Sequence, residues 1–337
     1  MLYPKYFSFL LLFVVVFIAS CSNTKHLPNG ESLYIGSSVT LKDNEGTKSY
    51  RKVVRRDLRG AIKPKPNSKF LGVRLKLSIY NLAGDTTKKG PLRRALRNFG
   101  EPPVLASMLD LEKNEQLFVN ILENKGFFYP RVESRSETKK RKTKGYFDVW
   151  TGPQYKIRNI EFPIDSSQLS VDISNVKDKS LLKSGLPYNL DLIKGERDRI
   201  TKQLTEKGYY YFKSDYIIAR VDSSVGNHQV DIYIQPKHEE MPEQAYYLYR
   251  INNVFVYPNY GLRGERRADT NKTEGIFHDG FYLIDKRNTF RPVVFEQAMQ
   301  FKPGEVYNRT EQNLALNRLV TLGTFKFVKN RFDPIDN

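Results

Sequence analysis

The sequence predicts an α+β chain made of tandem β-α-α-β-β units behind an apolar leader. Three observations carry this. An uncharged apolar run ends at the single cysteine, Cys21. Several short motifs recur in the same order along the chain. Each long helical pattern closes on a glycine followed within two residues by an aromatic residue.

The leader comes first. Lys5 precedes ten apolar residues, Phe9 to Ile18, and Ala19-Ser20-Cys21 follow. Ten residues are too few to span a bilayer core, which takes about 20, but they match the length of a signal-peptide core. Ile18-Ala19-Ser20-Cys21 resembles the bacterial lipobox, in which the cysteine becomes the lipid-bearing first residue. The leader is therefore predicted at 1–20, with Cys21 as lipid attachment and 21–27 as a tether. A chance cysteine beside an ordinary secretory signal is the weaker reading, since a lone free thiol is unusual in an exported chain. Ser22-Asn23-Thr24-Lys25 contains no aspartate of the inner-membrane retention type, and no acidic tract follows. The expected location is the outer membrane, lipid-anchored and facing the periplasm.

Composition narrows the function classes. One cysteine excludes an intrachain disulfide and a thiolate metal cluster, and the four histidines occur in no metal-ligand spacing. Neither cofactor nor metal is expected. The 21 Tyr and 21 Phe suit strands and interaction surfaces. The net charge of +18 suits anionic lipid head groups or acidic proteins. An exported chain rarely meets nucleic acid, and no Gly-rich phosphate loop or zinc-finger spacing occurs, so nucleic acid is discounted. The basic run Lys139 to Lys144 reads as a solvated hairpin tip.

The repeat follows element by element. "YKIRNIEF" at 155–162 matches "YRINNVFV" at 249–256, each an opening strand by its near-alternation. "GLPYN" at 185–189 matches "GEVYN" at 304–308, with "GEPP" at 100–103 as a weaker copy. Each precedes an amphipathic helical pattern. Asn189 and Asn308 are placed to cap the first turn. Gly126, Gly208 and Gly323 are placed to close the helices in the left-handed region. "FDVWTGP" at 147–153 matches "VDIYIQP" at 230–236 as a strand stopped by proline.

This order, with its G-x-x-Y helix lead and Gly-aromatic exit, resembles the POTRA domain. POTRA repeats form the periplasmic arm of outer-membrane assembly proteins such as BamA and TamA. With the lipobox, the resemblance points to the lipidated, TamA-like branch. It implies POTRA-like domains at 28–152, 153–240 and 244–337. The first carries an insertion at 63–100. Val53, Val54 and Leu58 mark a helix at 49–62, whereas 70–85 is ambiguous, with Val73, Leu75, Leu77 and Ile79 alternating as in a strand. The third has an insertion at 258–290 and an incomplete end, without a partner for "VDIYIQP". The family's β-barrel is expected after the last repeat and is absent, so the chain reads as part of a larger protein.

The resemblance implies a non-catalytic arm that binds unfolded outer-membrane proteins, with an inner-membrane TamB-like protein as a possible partner. The competing reading is a lipid-anchored periplasmic scaffold or division-type protein that uses such units only to hold partners. No nucleophile elbow, Walker sequence or zinc-protease helix occurs, so no enzyme activity is expected. Client binding is placed on the strand expected after the second Gly-aromatic exit, 209–221. Tyr209, Tyr211, Lys213, Asp215 and Ile217 are the candidate edge residues, available for strand augmentation.

Overall fold

A computed structural model describes residues 23–43, 47–84, 90–259 and 275–335. Two compact units are distinguished, one reaching to Lys156 and including Pro187–Asn189, the other holding Ile157–Leu186 and the residues from Leu190 on. Cys21 and the leader lie outside the described residues.

The first unit is built on β1 (Leu33–Leu41), α1 (Lys48–Ala61), α2 (Leu75–Leu82), α3 (Pro91–Phe99), α4 (Leu111–Glu123), β2 (Arg131–Lys139) and β3 (Lys142–Trp150). Its sheet runs β1-β3-β2, with β1 parallel and β2 antiparallel to β3. The helices start where capping chemistry allows. Thr47 Oγ1 accepts from the Tyr50 amide at 3.2 Å, and Asp110 Oδ1 accepts from the Lys113 amide at 2.9 Å. Val54 and Leu58 of α1 and Phe118 and Leu122 of α4 cover Val39, Leu41, Phe147 and Val149 of the sheet. Phe118 and Phe147 meet at 5.0 Å between ring centres.

The ambiguous stretch at 70–85 is helical over Leu75–Leu82, with Leu77 and Ser78 buried. The sheet already has its three strands, and Leu77 finds its apolar partners in Leu27 and Leu33 instead. Two buried amides fasten this insertion. Asn114 receives from the Lys63 amide at 2.8 Å and donates to the Lys63 carbonyl at 2.6 Å. Asn67 donates to the Pro102 carbonyl at 2.7 Å and accepts from the Val104 amide at 3.0 Å. Such two-sided pairing satisfies both ends of each amide away from water.

The β2–β3 turn places Lys140 and Arg141 at φ 49° and 58°, the left-handed pair of a two-residue hairpin. The basic run is thus a hairpin tip, but Arg141 is not simply solvated. Its guanidinium donates to the carbonyls of Leu27, Pro28 and Glu31, pinning the N-terminal segment.

The second unit opens with β4 (Lys156–Glu161, its residues from Ile157 on), then α5 (Gln168–Ser174), α6 (Leu190–Lys207), β5 (Ile217–Asp222) and β6 (Gln229–Pro236). The sheet order β4-β6-β5 repeats that of the first unit, with the last strand central. Ile193, Ile200 and Leu204 of α6 are buried, as are Val230, Ile232 and Ile234 of β6.

The same unit continues with β7 (Phe255–Val256), β8 (Ile276–His278), β9 (Phe281–Leu283), α7 (Val293–Glu296) and α8 (Arg309–Thr321). Here the element order changes. The sheet again reads opening, central, edge as β7-β9-β8, with β7 parallel to β9. Its hairpin comes from the expected insertion, ahead of the helices. Among the described residues no strand follows α8, and Phe325, Val328 and Phe332 pack on the core of Phe281, Leu283 and Phe295. Asn308 caps α8 as its sequence position implied, accepting from Thr310 at 2.8 Å and Glu311 at 3.2 Å.

Candidate binding edge and repeat junctions

The expected edge strand is shorter than the sequence implied. Only Ile217–Asp222 is a strand, and residues 214–216 form a single 3-10 turn before it. Tyr209, Tyr211, Lys213 and Asp215 therefore lie outside the strand. Tyr209 is fully buried, and its hydroxyl donates to Asp172 Oδ2 at 2.8 Å. Burial, with the Asp172 carboxylate beside it, pushes the phenol well above its ordinary value. Lys207 also bonds the Asp172 carboxylate. Asp215 is exposed and accepts from Arg197 at 3.2 Å, while Lys213 is exposed. Ile217 is wholly buried. The aromatic run resembled a strand, but Gly208 at φ 120° turns it into the core before β5 begins.

β5 itself is the outer strand of its sheet. Lys237 donates to the Tyr216 carbonyl at 2.8 Å, and β5 pairs with β6 in the same register, Ile217 opposite Pro236. Antiparallel pairs alternate between bonded and non-bonded positions. The backbone groups of Ile218, Arg220 and Asp222 thus face β6 and those of Ala219 and Val221 face outward, while the Ile217 amide is taken up by the Ser214 carbonyl. β2 holds the same place in the first sheet, but its sequence differs. Arg131, Glu133, Arg135, Glu137 and Lys139 alternate along β2, the charged pattern that discourages pairing at a sheet edge. β5 carries only Arg220 and Asp222 as charges, with Ile218 and Val221 each 36% exposed.

The central strands carry the recurring aspartates. Asp148 accepts from Arg135 at 2.9 Å and lies 3.2 Å from Lys42. Partial burial raises its carboxyl, and these two cations outweigh that and hold it below the ordinary range. Asp231, nearly buried, accepts from Arg158 Nε at 2.8 Å. The Arg158 bond dominates and lowers its carboxyl. Both aspartates cross-link neighbouring strands.

The recurring tyrosines and glycines have a role that sequence reading missed. The Tyr155 amide donates to the Gly126 carbonyl at 2.8 Å, and the Tyr188 amide to the Tyr155 carbonyl at 2.9 Å. The same two bonds recur from Tyr249 to Gly208 and from Tyr307 to Tyr249, both at 2.9 Å. The rings repeat too. Phe128 stands edge-on to Tyr155 and Tyr188 at 4.8 and 5.0 Å, and Tyr210 stands edge-on to Tyr307 at 4.9 Å. The Gly-aromatic exit of one repeat thus receives both tyrosine motifs of the next.

In the first repeat, Ser32 and Ala106 hold these two places, joined by a 2.8 Å bond from the Ala106 amide to the Ser32 carbonyl. Tyr34 donates to Val104 as Ile157 donates to Leu186. Gly185 therefore corresponds to Pro103, and "GEPP" is offset by three residues from the true copy. The corrected spacing is regular, 23 residues from Pro103 to Gly126 and 23 from Gly185 to Gly208.

Among the described residues no helix is long and apolar enough to cross a membrane, and no group of three His, Cys, Asp or Glu could hold a metal. No family model and no curated protein matches the sequence. Solved structures similar to the chain include POTRA domains of BamA and Omp85. POTRA3-5 of BamA from Haemophilus influenzae is 18% identical at a TM-score of 0.40, over 92% of this chain and 94% of that one. POTRA1-3 of the periplasmic domain of Omp85 from Anabaena is 14% identical at 0.30, over 88% and 87%. The N-terminal domain of Omp85 from Thermosynechococcus elongatus is 13% identical at 0.28, over 91% and 92%.

Proposed function

We propose that this chain is the periplasmic arm of an outer-membrane protein assembly factor of the lipidated, TamA-like (TamL) type. Cys21 carries the lipid, and the arm binds unfolded β-barrel clients by adding their strands to the edge of β5. One observation carries the reading: β5 ends its sheet with outward backbone groups at Ala219 and Val221 and few charges to repel a partner. An unfolded barrel protein is a series of alternating strands, and main-chain pairing accepts many sequences. An inner-membrane TamB-like protein is the partner proposed for the first repeat.

Val221 is the position at which to test the edge. Its amide faces away from β6, so proline there removes an outward donor without breaking the ladder. Val221→Pro should retain the far-ultraviolet circular dichroism of the wild type and lose crosslinking to a denatured barrel protein. Val221→Thr keeps the amide and should crosslink normally. If both variants capture clients as the wild type does, β5 is not the docking edge. Metabolic labelling with palmitate should mark the wild type and not Cys21→Ser, and equal labelling of the two would remove the anchor.

A further inference from the structure

Residues 48–100 contain 16 Lys and Arg against two Asp, a net +14 of the chain's +18. α1 and the insertion carry most of the charge, against +5 over 139–144 in the hairpin tip. The insertion also exposes apolar side chains where a solvated surface would not. α3 buries none of its residues. Its sequence places Leu92, Ala95, Leu96 and Phe99 on one stripe at helical spacing and Arg93, Arg94 and Arg97 on the other side. Leu92 and Phe99 are 73% and 77% exposed. The turn that leads into α2 presents Phe70 and Leu71, the latter 90% exposed and held at φ 47°, a conformation that costs a bulky residue. A cleft of about 410 Å³ lined by Arg59, Lys65, Lys69, Ser37 and Ser68 opens next to this turn.

The N-terminal segment is fastened to α2, the helix on which α3 packs. Ser78 of α2 donates to the Asn23 side chain at 3.0 Å, and Leu27 packs on Leu77. Cys21 precedes Asn23 by two residues, which reach at most about 7 Å. An acyl chain on Cys21 therefore enters the bilayer beside α2 and the α3 packed against it.

We infer that the insertion of the first repeat is a peripheral membrane-docking surface for anionic phospholipid. α3 and the Phe70–Leu71 turn enter the interface, and the cations around them pair with head-group phosphates. A cationic helix with an exposed apolar stripe has the character of an interfacial helix, and a lipid chain plus a basic patch anchors more firmly than either alone. The inference takes its orientation from the lipid anchor at Cys21, but the surface is tested without it.

The chain from Ser22 onward retains every described residue and carries no acyl group. It should float with vesicles of equimolar phosphatidylcholine and phosphatidylglycerol, lose that binding in high salt, and remain behind with phosphatidylcholine alone. Arg93→Gln with Arg94→Gln should weaken partition about 25-fold, at about fivefold per cation. Leu92→Ser with Phe99→Ser should weaken it with the salt dependence kept. Lys139→Gln with Lys140→Gln, in the hairpin tip, should leave it unchanged. Trp150 fluorescence checks that the first unit stays folded in each variant.

Equal flotation on neutral vesicles, indifference to the α3 variants, loss through the hairpin variant, or tighter binding to duplex DNA or polyglutamate than to vesicles would each overturn the inference. None of these outcomes bears on palmitate labelling of Cys21, so the anchor and the surface fail separately.

Discussion

Replacing Gly208 by valine introduces two separate faults at one atom. The residue occupies φ 120°, where a side chain is strained, at a cost of about 1–2 kcal/mol. A Cβ there would also lie 2.7 Å from Val306 Cγ1 and 3.2 Å from Leu248 Cδ2, so the neighbours must move. Overpacking of this kind costs typically 1–3 kcal/mol. Together Gly208→Val should destabilise the second unit by about 2–5 kcal/mol. Gly195, inside α6, is the control. Its Cβ would meet only Leu181 Cδ1, at 3.4 Å, and its backbone is helical. Gly195→Ala should be neutral or stabilising by up to about 1 kcal/mol.

The chain supplies its own means of locating the effect. Its one tryptophan, Trp150, belongs to the first unit, so urea unfolding followed by tryptophan fluorescence reports that unit. Circular dichroism reports both. Gly208→Val should move a dichroism transition to lower urea and leave the fluorescence midpoint in place. If Gly208→Val and Gly195→Ala shift the dichroism transition equally, or if neither does, the packing argument at Gly208 is wrong.

Two further outcomes follow from buried polar pairs. Tyr209→Phe removes the hydroxyl that donates to buried Asp172 and should cost about 1–3 kcal/mol by urea unfolding, while Tyr211→Phe stays within about 0.5 kcal/mol; equal costs would remove Asp172 from the account. Asp231 titrates below 3.8 in the folded chain, so its contribution is present above that value and is lost as pH falls through the folded value. The stability difference between wild type and Asp231→Asn should therefore shrink on acidification below about pH 4. A difference that stays constant with pH would show that the Arg158 pairing does not carry it.

How much of this was legible in the sequence depended on the range of the interactions. The glycine closures at Gly126, Gly208 and Gly323 were readable because a left-handed residue at a helix end leaves a local mark, and all three have positive φ. The Asn308 cap was readable for the same reason. β5 was misread because Tyr209 to Tyr216 have strand-like composition, and the pull of Asp172 on Tyr209 comes from 37 residues away. The hairpin β8–β9 was read as insertion because nothing local says that it pairs with β7. The concentration of cations in 48–100 is visible in the sequence as a count, but the denser local run is the one at the hairpin tip. The insertion's exposed apolar stripe needed the structure, since an apolar helical face ordinarily signals burial.

The junction bonds explain why the tyrosine motifs recur where they do. A glycine closing a helix leaves a carbonyl that needs a donor, and the tyrosine ahead of the next opening strand supplies its amide. A Cβ added at Gly126 would lie 3.0 Å from Tyr188 Cβ, and one at Gly208 2.7 Å from Val306 Cγ1. Glycine is thus required twice at these two places, for φ and for approach. A Cβ at Gly323 would meet nothing within 4 Å, so that residue answers only to its own φ of 69°. Ser32 and Ala106 make the same backbone bond as the tyrosine pairs without rings, because no Gly-aromatic exit packs on them among the described residues. The bond belongs to the fold of each repeat. The rings belong to the joining of one repeat to the next, and edge-on aromatic pairs at 4.8–5.0 Å add about 0.5–1.5 kcal/mol each beyond burial. A chain that repeats both can be extended in tandem, each exit preparing the seat of the strand that follows.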